Sequence, residues 1–412
     1  MKHFFLFVMA VATVGSCFAQ GDKATDPKTL FSVIKNNPAT AVKNQSATGT
    51  CWSFSTTAQV ESQAIKNKLG EFDLSEMFTV RNIYIEKAKN YVLRQGHTQF
   101  GEGALGHDQI NAIGKYGAIP ESVYSGLING NKSHDHKKLA KDLKQYLDAL
   151  IAKTPLADDW LAGYTKILDA ALGAPPAQFD FKGKSYTPLT FAREVLQFNP
   201  NDYIAITSFA HHPYYQSFVL EVPDNFSSGA YVNLPIGELL QITKDVINNG
   251  YTITWDADVS NKGFMPNKGI AGLYDTSINA FRKPNGKKAM YESKKGTGGV
   301  PAATPDAAFN SSASGSGKAD DGLAEDLEWD AELRQALFEN LVTQDDHLMQ
   351  ITGVETSKSG KTFFIVKNSW GEIGPDKGYI HVSEPYFAIN TVSLIVPKAA
   401  LTSSQLERLK GR

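Results

Sequence analysis

The period of the apolar positions changes about halfway along the chain. From Cys51 to Leu69, Phe54, Ala58, Ile65 and Leu69 recur at near-helical spacing, and Gly70 supplies a stop, which predicts an amphipathic helix with Cys51 in its first turn. "LSEMFTVRNIYIEKAKNYV" predicts a second helix, and "HDQINAIGKYG" a third, closed by Gly117 and a turn at Pro120. Residues 131–200, rich in Lys, Leu, Ala and Asp as in "KKLAKDLKQYLDALIAK", predict an inserted helical subdomain. Beyond residue 200 the segments become short, β-branched and aromatic: "DYIAITSF", "QSFVLEV", "YTITWDADV", "HLMQITGVE", "TFFIVKNSW" and "GYIHVSE" predict a strand-rich second half. Between these strands, residues 283–323 are poor in large apolar residues and heavy in Gly, Ser, Ala and Pro, the composition of a flexible surface insertion.

The two ends complete the division. Residues 1–19 carry Lys2, an apolar run from Phe4 to Val14, and the small residues Cys17 and Ala19 before Gln20, the pattern of a bacterial signal peptide and of export to the periplasm or beyond. "VGSC" also allows a lipid anchor through Cys17. The expected organisation is therefore a leader (1–19), a helical lobe (20–130), the helical insertion (131–200), a strand-rich lobe (201–398) and a C-terminal tail (399–412). No later segment holds the ~18 consecutive apolar residues of a membrane span, so no span is expected. With 42% apolar and 20% charged positions the chain has the composition of a globular α+β protein. Its 41 basic and 43 acidic residues are dispersed along the chain, which argues against a nucleic-acid partner.

Cysteine usage sharpens the picture. Only Cys17 and Cys51 are present, and removal of the leader leaves Cys51 without a second thiol in its own chain. In the first turn of a helix, the dipole and free backbone N–H groups are expected to lower a thiol's pKa. Of the histidines, the pairs in "SHDH" and "HHPYY" read as solvated loop or turn residues; with no HExxH or paired CxxC, no metal site is expected. His347 differs, since it opens the apolar run "HLMQITGVE", and Asn368 closes the next one. On adjacent antiparallel strands that amide would orient the imidazole to take the thiol proton. Gln45 and the Cys51 backbone N–H would supply donors for an oxyanion beside the sulfur. Taken singly, Cys51 and Trp52 fit a packed core, His347 a satisfied strand histidine and Asn368 the start of a turn. The combination is what points to chemistry.

"NQSATGTCWSF", "DDHLMQITGV" and "FFIVKNSWGE" followed by "KGYIHV" resemble the active-site segments of papain-type cysteine peptidases, and the wider match resembles the bleomycin hydrolase and aminopeptidase C branch. "KYGAIPES", "HHPYYQSFVLEV", "NLPIGELL" and "WDADVS" extend it over most of Lys43 to Pro397, and the long Cys-to-His separation fits the helical insertion of that branch. The resemblance implies a papain-like two-lobe fold with no metal or organic cofactor, peptide substrates and a homohexamer. Its implied catalytic set is Cys51 as nucleophile, His347 as base, Asn368 as orienting residue and Gln45 in the oxyanion hole. Trp370 would shield the Asn–His bond, Trp52 would support the nucleophile, and Gly103 would bind substrate through its backbone.

Three departures from the family pattern stand out. "EGALGHDQ" replaces an Asp-Gly-Gly-like stretch and puts Ala104 beside Gly103, and the 283–323 insertion precedes the base. The third is the tail. In the family the chain end enters the cleft and binds the substrate amino group, whereas here "VPKAAL" continues into "TSSQLERLKGR". Aminopeptidase action is expected; the alternatives are endopeptidase or dipeptidyl-peptidase action on the same fold, or a catalytically silent binding protein.

Overall fold

A computed structural model describes residues 29–281 and 323–410. The leader at 1–19 lies outside the described residues, as does the Gly/Ser/Ala/Pro-rich stretch at 283–323 apart from Leu323. Ten helices are described: α1 (Cys51–Lys66), α2 (Glu76–Leu93), α3 (Gly106–Tyr116), α4 (Lys137–Ile151), α5 (Trp160–Leu172), α6 (Pro188–Glu194), α7 (Ile236–Asn248), α8 (Ala331–Glu339), α9 (Glu384–Asn390) and α10 (Ser403–Leu409). The strands are β1 (Phe31–Asn36), the hairpin β2 (Phe179–Phe181) and β3 (Lys184–Tyr186), then β4 (Tyr203–Thr207), β5 (Ser217–Val219), β6 (Ala230–Asn233), β7 (Ile253–Ala257), β8 (Phe264–Met265), β9 (Ile270–Ala271), β10 (His347–Ser357), β11 (Thr362–Lys367), β12 (Tyr379–Ser383) and β13 (Thr391–Pro397).

All strands but the hairpin join one sheet in the order β5-β6-β4-β13-β7-β10-β11-β12-β9-β8, with β1 paired to the far end of β10. Alternation along the central strands sorts the packing. Leu348 and Ile395 face the core that α1, α2 and α3 share, while Met349, Ile351, Leu394 and Val396 face α7 on the other side. The α4–α5 pair adds to the first core: Leu139, Leu143 and Leu147 pack with Tyr164, Leu168 and Leu172, and Tyr164 Oη donates to the Tyr84 carbonyl in α2 at 2.8 Å.

Helix α1 is buried on every side from Cys51 to Ser62, although many of these residues are polar. Such burial calls for hydrogen-bond partners, and the sheet supplies several of them, although Thr56 Oγ1 has none among the described residues. Gln59 Nε2 donates to the carbonyls of Thr252 (3.1 Å) and Ile395 (2.8 Å), and Thr254 Oγ1 donates to Gln59 Oε1 (2.8 Å). From β10, Gln350 Nε2 donates to the Ala58 carbonyl (3.1 Å) and Ser62 Oγ (2.8 Å). The helix bearing Cys51 is thus bonded to the strand bearing His347.

The tail does not follow the course the resemblance implies. After β13 it turns onto the α7 face: Leu401 and Leu409 join that core, Gln405 Nε2 donates to Asp245 (2.7 Å), and Arg408 pairs with Glu238 (3.0 Å). Through Lys410 it therefore lies on the sheet face opposite α1.

Gly106 opens α3 where backbone and sheet come closest, since a Cβ there would meet Ile395 Cγ1 at 2.6 Å and Thr254 Cγ2 at 3.3 Å. Gly106→Ala is expected to destabilise the protein by about 1–3 kcal/mol through overpacking. A lowered urea midpoint with an unchanged m-value checks this.

Candidate active site

Cys51 is the first residue of α1 and is 8% exposed. Thr50 precedes it without capping the helix by its side chain; instead its hydroxyl bonds Thr48 Oγ1 at 2.6 Å. The Cys51 backbone N–H has no hydrogen-bond partner among the described residues, so one of the helix's free N-terminal donors lies beside the sulfur. The backbone N–H of Leu348, the residue after His347, acts on the thiol and works to lower its pKa, so the start of α1 and the start of β10 lie close together.

His347 and Asn368 lie on antiparallel neighbours, and His347 Nε2 bonds Asn368 Oδ1 at 2.7 Å. Asn368 Oδ1 also accepts from the Ser369 N–H at 2.7 Å. An amide oxygen is an acceptor, so Nε2 carries the proton and Nδ1 keeps a lone pair. Trp370 covers the imidazole, with ring centroids 4.6 Å apart at 32°.

Gln45 is drawn into the same seam. Its backbone N–H donates to the Ser369 carbonyl (2.8 Å), its Oε1 accepts from Ser369 Oγ (2.7 Å), and its Nε2 donates one hydrogen to the Thr48 carbonyl (2.7 Å). A second hydrogen on Nε2 remains. Trp52 fixes the adjoining wall: its Nε1 donates to the Glu102 carbonyl (3.0 Å), while Lys87 Nζ bonds the carbonyl of Gly103. Ala104, beside Gly103, is almost wholly buried at 1% exposure.

The electrostatics differ from the expectation of a lowered thiol pKa. Burial pushes the Cys51 thiol up, and the charges of Asp224, Asp345 and Asp256 push it in the same direction. Loss of water outweighs the helix start and the Leu348 N–H. Burial also takes His347 down to about 4, against the Asn368 hydrogen bond. Both shifts favour an uncharged thiol–imidazole pair.

The acidic residues are the part of the site that the sequence did not single out. Asp256, on β7, lies opposite Leu348 and accepts from Ser393 Oγ at 3.0 Å; burial raises it to about 7. Asp345 lies near it, and burial and the charge of Asp256 raise the Asp345 carboxyl well above the usual carboxylate range. Both belong to segments already quoted, "WDADVS" and "DDHLMQITGV", but nothing in either segment shows that they meet.

The remaining histidines divide. His211 and His212 both bond Glu221, at 3.2 and 2.6 Å, so these three side chains satisfy one another at a partly exposed surface. His136 is not the solvated loop residue expected from "SHDH": it is 2% exposed, bonds Tyr84 Oη at 3.0 Å, and is held by burial near pKa 3.

Comparison with known proteins follows this geometry. The Peptidase C1-like family matches residues 102–289 and 326–412, and the Papain family cysteine protease description matches residues 27–81. Aminopeptidase G of Lactobacillus delbrueckii subsp. lactis is 23% identical over 91% of this chain and 84% of its own length. Aminopeptidase C of Listeria monocytogenes serovar 1/2a is 24% identical over 94% and 87%. The crystal structure of PepW from Lactobacillus rhamnosis HN001 superposes with a TM-score of 0.67 at 20% identity, over 92% of this chain and 84% of that one, and shares its papain-like fold.

The His347 shift sets a pH dependence of stability. A histidine lowered to about 4 on folding is protonated first in the unfolded chain, so its contribution is whole above about pH 6.5 and is lost as pH falls through 4. Between pH 7 and 4 the protein is expected to lose about 3 kcal/mol more than its His347→Gln variant. Urea unfolding of both at the two pH values measures the difference.

Proposed function

Because the chain belongs to the Peptidase C1-like family and is a cysteine-type peptidase, we propose that it is an aminopeptidase working through Cys51, His347 and Asn368. The observation that carries this reading is the His347–Asn368 bond of 2.7 Å at the start of β10, the strand whose Gln350 is bonded to the helix that Cys51 opens.

In this mechanism the imidazole's free Nδ1 takes the thiol proton as the sulfur attacks the scissile carbonyl carbon. Starting from an uncharged pair, the proton moves as the substrate arrives rather than before. The new oxyanion accepts from the Cys51 N–H and the remaining Gln45 Nε2 hydrogen. The C–N bond then breaks, His347 returns the proton to the leaving amine, and water activated by the imidazole cleaves the thioester. Asn368 keeps Nε2 protonated and the ring aligned, and Trp370 keeps water from that bond. Gly103 offers backbone to the bound peptide. The leader-like segment 1–19 supports action outside the cytoplasm.

The relatives named as aminopeptidases C and G favour removal of single N-terminal residues. A second reading, endopeptidase action, is favoured by the tail's position on the α7 face, away from Cys51.

Digestion of one peptide in free and N-acetylated form, read by mass spectrometry, decides between them. Stepwise loss of N-terminal residues from the free form alone is expected; internal cuts in both forms would establish the endopeptidase instead. Cys51→Ala is expected to abolish turnover while leaving the unfolding midpoint within about 1 kcal/mol of wild type. Surviving hydrolysis in that variant would refute the assignment.

A further inference from the structure

One carboxylate whose charge reaches Cys51 has no part in the steps above. Asp224 lies in the turn after β5 with its carboxyl group packed on Gly103, where a Cβ would meet Oδ2 at 1.8 Å and Oδ1 at 2.5 Å. Gly103 is one residue from Glu102, whose carbonyl accepts from Trp52, the neighbour of Cys51. A short chain of contacts therefore leads from the thiol to this acid.

The turn is held firmly. Asn225 Nδ2 donates to the carbonyls of Leu220 (2.8 Å) and Gly229 (2.9 Å), its Oδ1 accepts from the Gly229 N–H (2.7 Å), and the Phe226 carbonyl accepts from Asn90 Nδ2 in α2 (3.1 Å). Of the two carboxylate oxygens, Oδ1 accepts from Gln99 Nε2 at 3.1 Å, while Oδ2 has no hydrogen-bond partner among the described residues. Lys87 is the cation whose charge acts on Asp224, but its Nζ is already bonded to the Gly103 carbonyl and it forms no close ion pair with the acid. The charge of Asp224 also reaches the thiol, ahead of Asp345 and Asp256 in its effect.

The wall is thus an acid in a fixed turn with one unoccupied oxygen, pushed up by burial and drawn down by Lys87, on the backbone that flanks the thiol. In a peptide cut after its first residue, only Cα separates the α-nitrogen from the scissile carbonyl carbon, so the group that holds that nitrogen must stand within about one residue, ~3.5 Å along the chain, of the reacting atoms. The asparagine–histidine side of the site is covered by Trp370. Burial raises Asp224, Asp256 and Asp345 alike, but Asp224 is the one whose carboxyl lies on Gly103, beside the Trp52-bound Glu102.

We propose that Asp224 is the specificity residue that binds the substrate's N-terminal ammonium through Oδ2, while its bulk on Gly103 closes the cleft to any residue further upstream. The tail, docked on α7, is then not needed for this purpose. This rests on the aminopeptidase reading and adds to it the group that counts off the first residue.

The test compares kcat/KM for an aminoacyl coumarylamide with a free or an N-acetylated amine, in wild type, Asp224→Asn and Asp224→Glu. Cys51 in each sample is titrated with a thiol-directed epoxide peptide, so that rates refer to competent sites. Wild type is expected to favour the free amine by about 100-fold or more, as truncation of a buried charge pair does. Asp224→Asn should bring that preference below about 10-fold, chiefly by raising KM for the free amine, and Asp224→Glu should restore part of it. If the asparagine variant titrates poorly, Asp224→Ser carries the same comparison. An unchanged preference in a fully titrated Asp224→Asn overturns the anchor and leaves the aminopeptidase standing. A wild type that cleaves both substrates alike overturns the aminopeptidase reading and the anchor with it.

Discussion

The burial of α1 is the constraint on which the rest depends. A helix buried from Cys51 to Ser62 has to find partners for most of its polar side chains, and two glutamines make the longest-range ones: Gln59 bonds α1 to β13 and β7, and Gln350 bonds β10 to α1. The first turn of the helix is thereby held against the first residues of β10. In the proposed mechanism a thiol and an imidazole far apart in the sequence share one site, and the glutamines behind them tie the helix of one to the strand of the other. The loop before α1 is pinned from the other side, where Gln45 and Ser369 exchange two hydrogen bonds, one between backbones and one between side chains.

The same burial shapes the electrostatics. Water is excluded from Cys51 and His347, so the uncharged forms of both are favoured, and the acids around them push in the same direction for the thiol. In the proposed mechanism, charge separation then waits for a substrate that brings its own polar groups. An ammonium near Asp224 would offset part of the field that raises the thiol, so the group that recognises the peptide end would also ease its cleavage.

Much of this was legible in the sequence, for identifiable reasons. Strand β10 coincides with "HLMQITGVE", and α1 to α3 follow the helical periods read for them, because apolar spacing there reflects a real core face. Strand β1 carries no apolar alternation in the sequence that would mark it, since Val33 and Ile34 are both exposed on the edge of the sheet. Helix α9 shows no amphipathic period because Tyr386 to Asn390 are all buried. Gln45, Cys51, His347 and Asn368 stood out through neighbouring residues that make a specific pattern. Asp224, Asp256 and Asp345 did not: they come from three distant segments, each unremarkable alone, and only the sheet and the turn after β5 bring them to one thiol. The direction of the Cys51 shift was misread for the same reason, since a helix position is local and desolvation is not.

The central claim is that Cys51 is the group to which the substrate is joined during turnover. The direct measurement is acid quench of the protein with an aminoacyl ester in the first fraction of a turnover, followed by proteolysis and mass spectrometry. An aminoacyl adduct on the peptide containing Cys51, lost in Cys51→Ala, is predicted. Continued hydrolysis with no adduct on that peptide would contradict it.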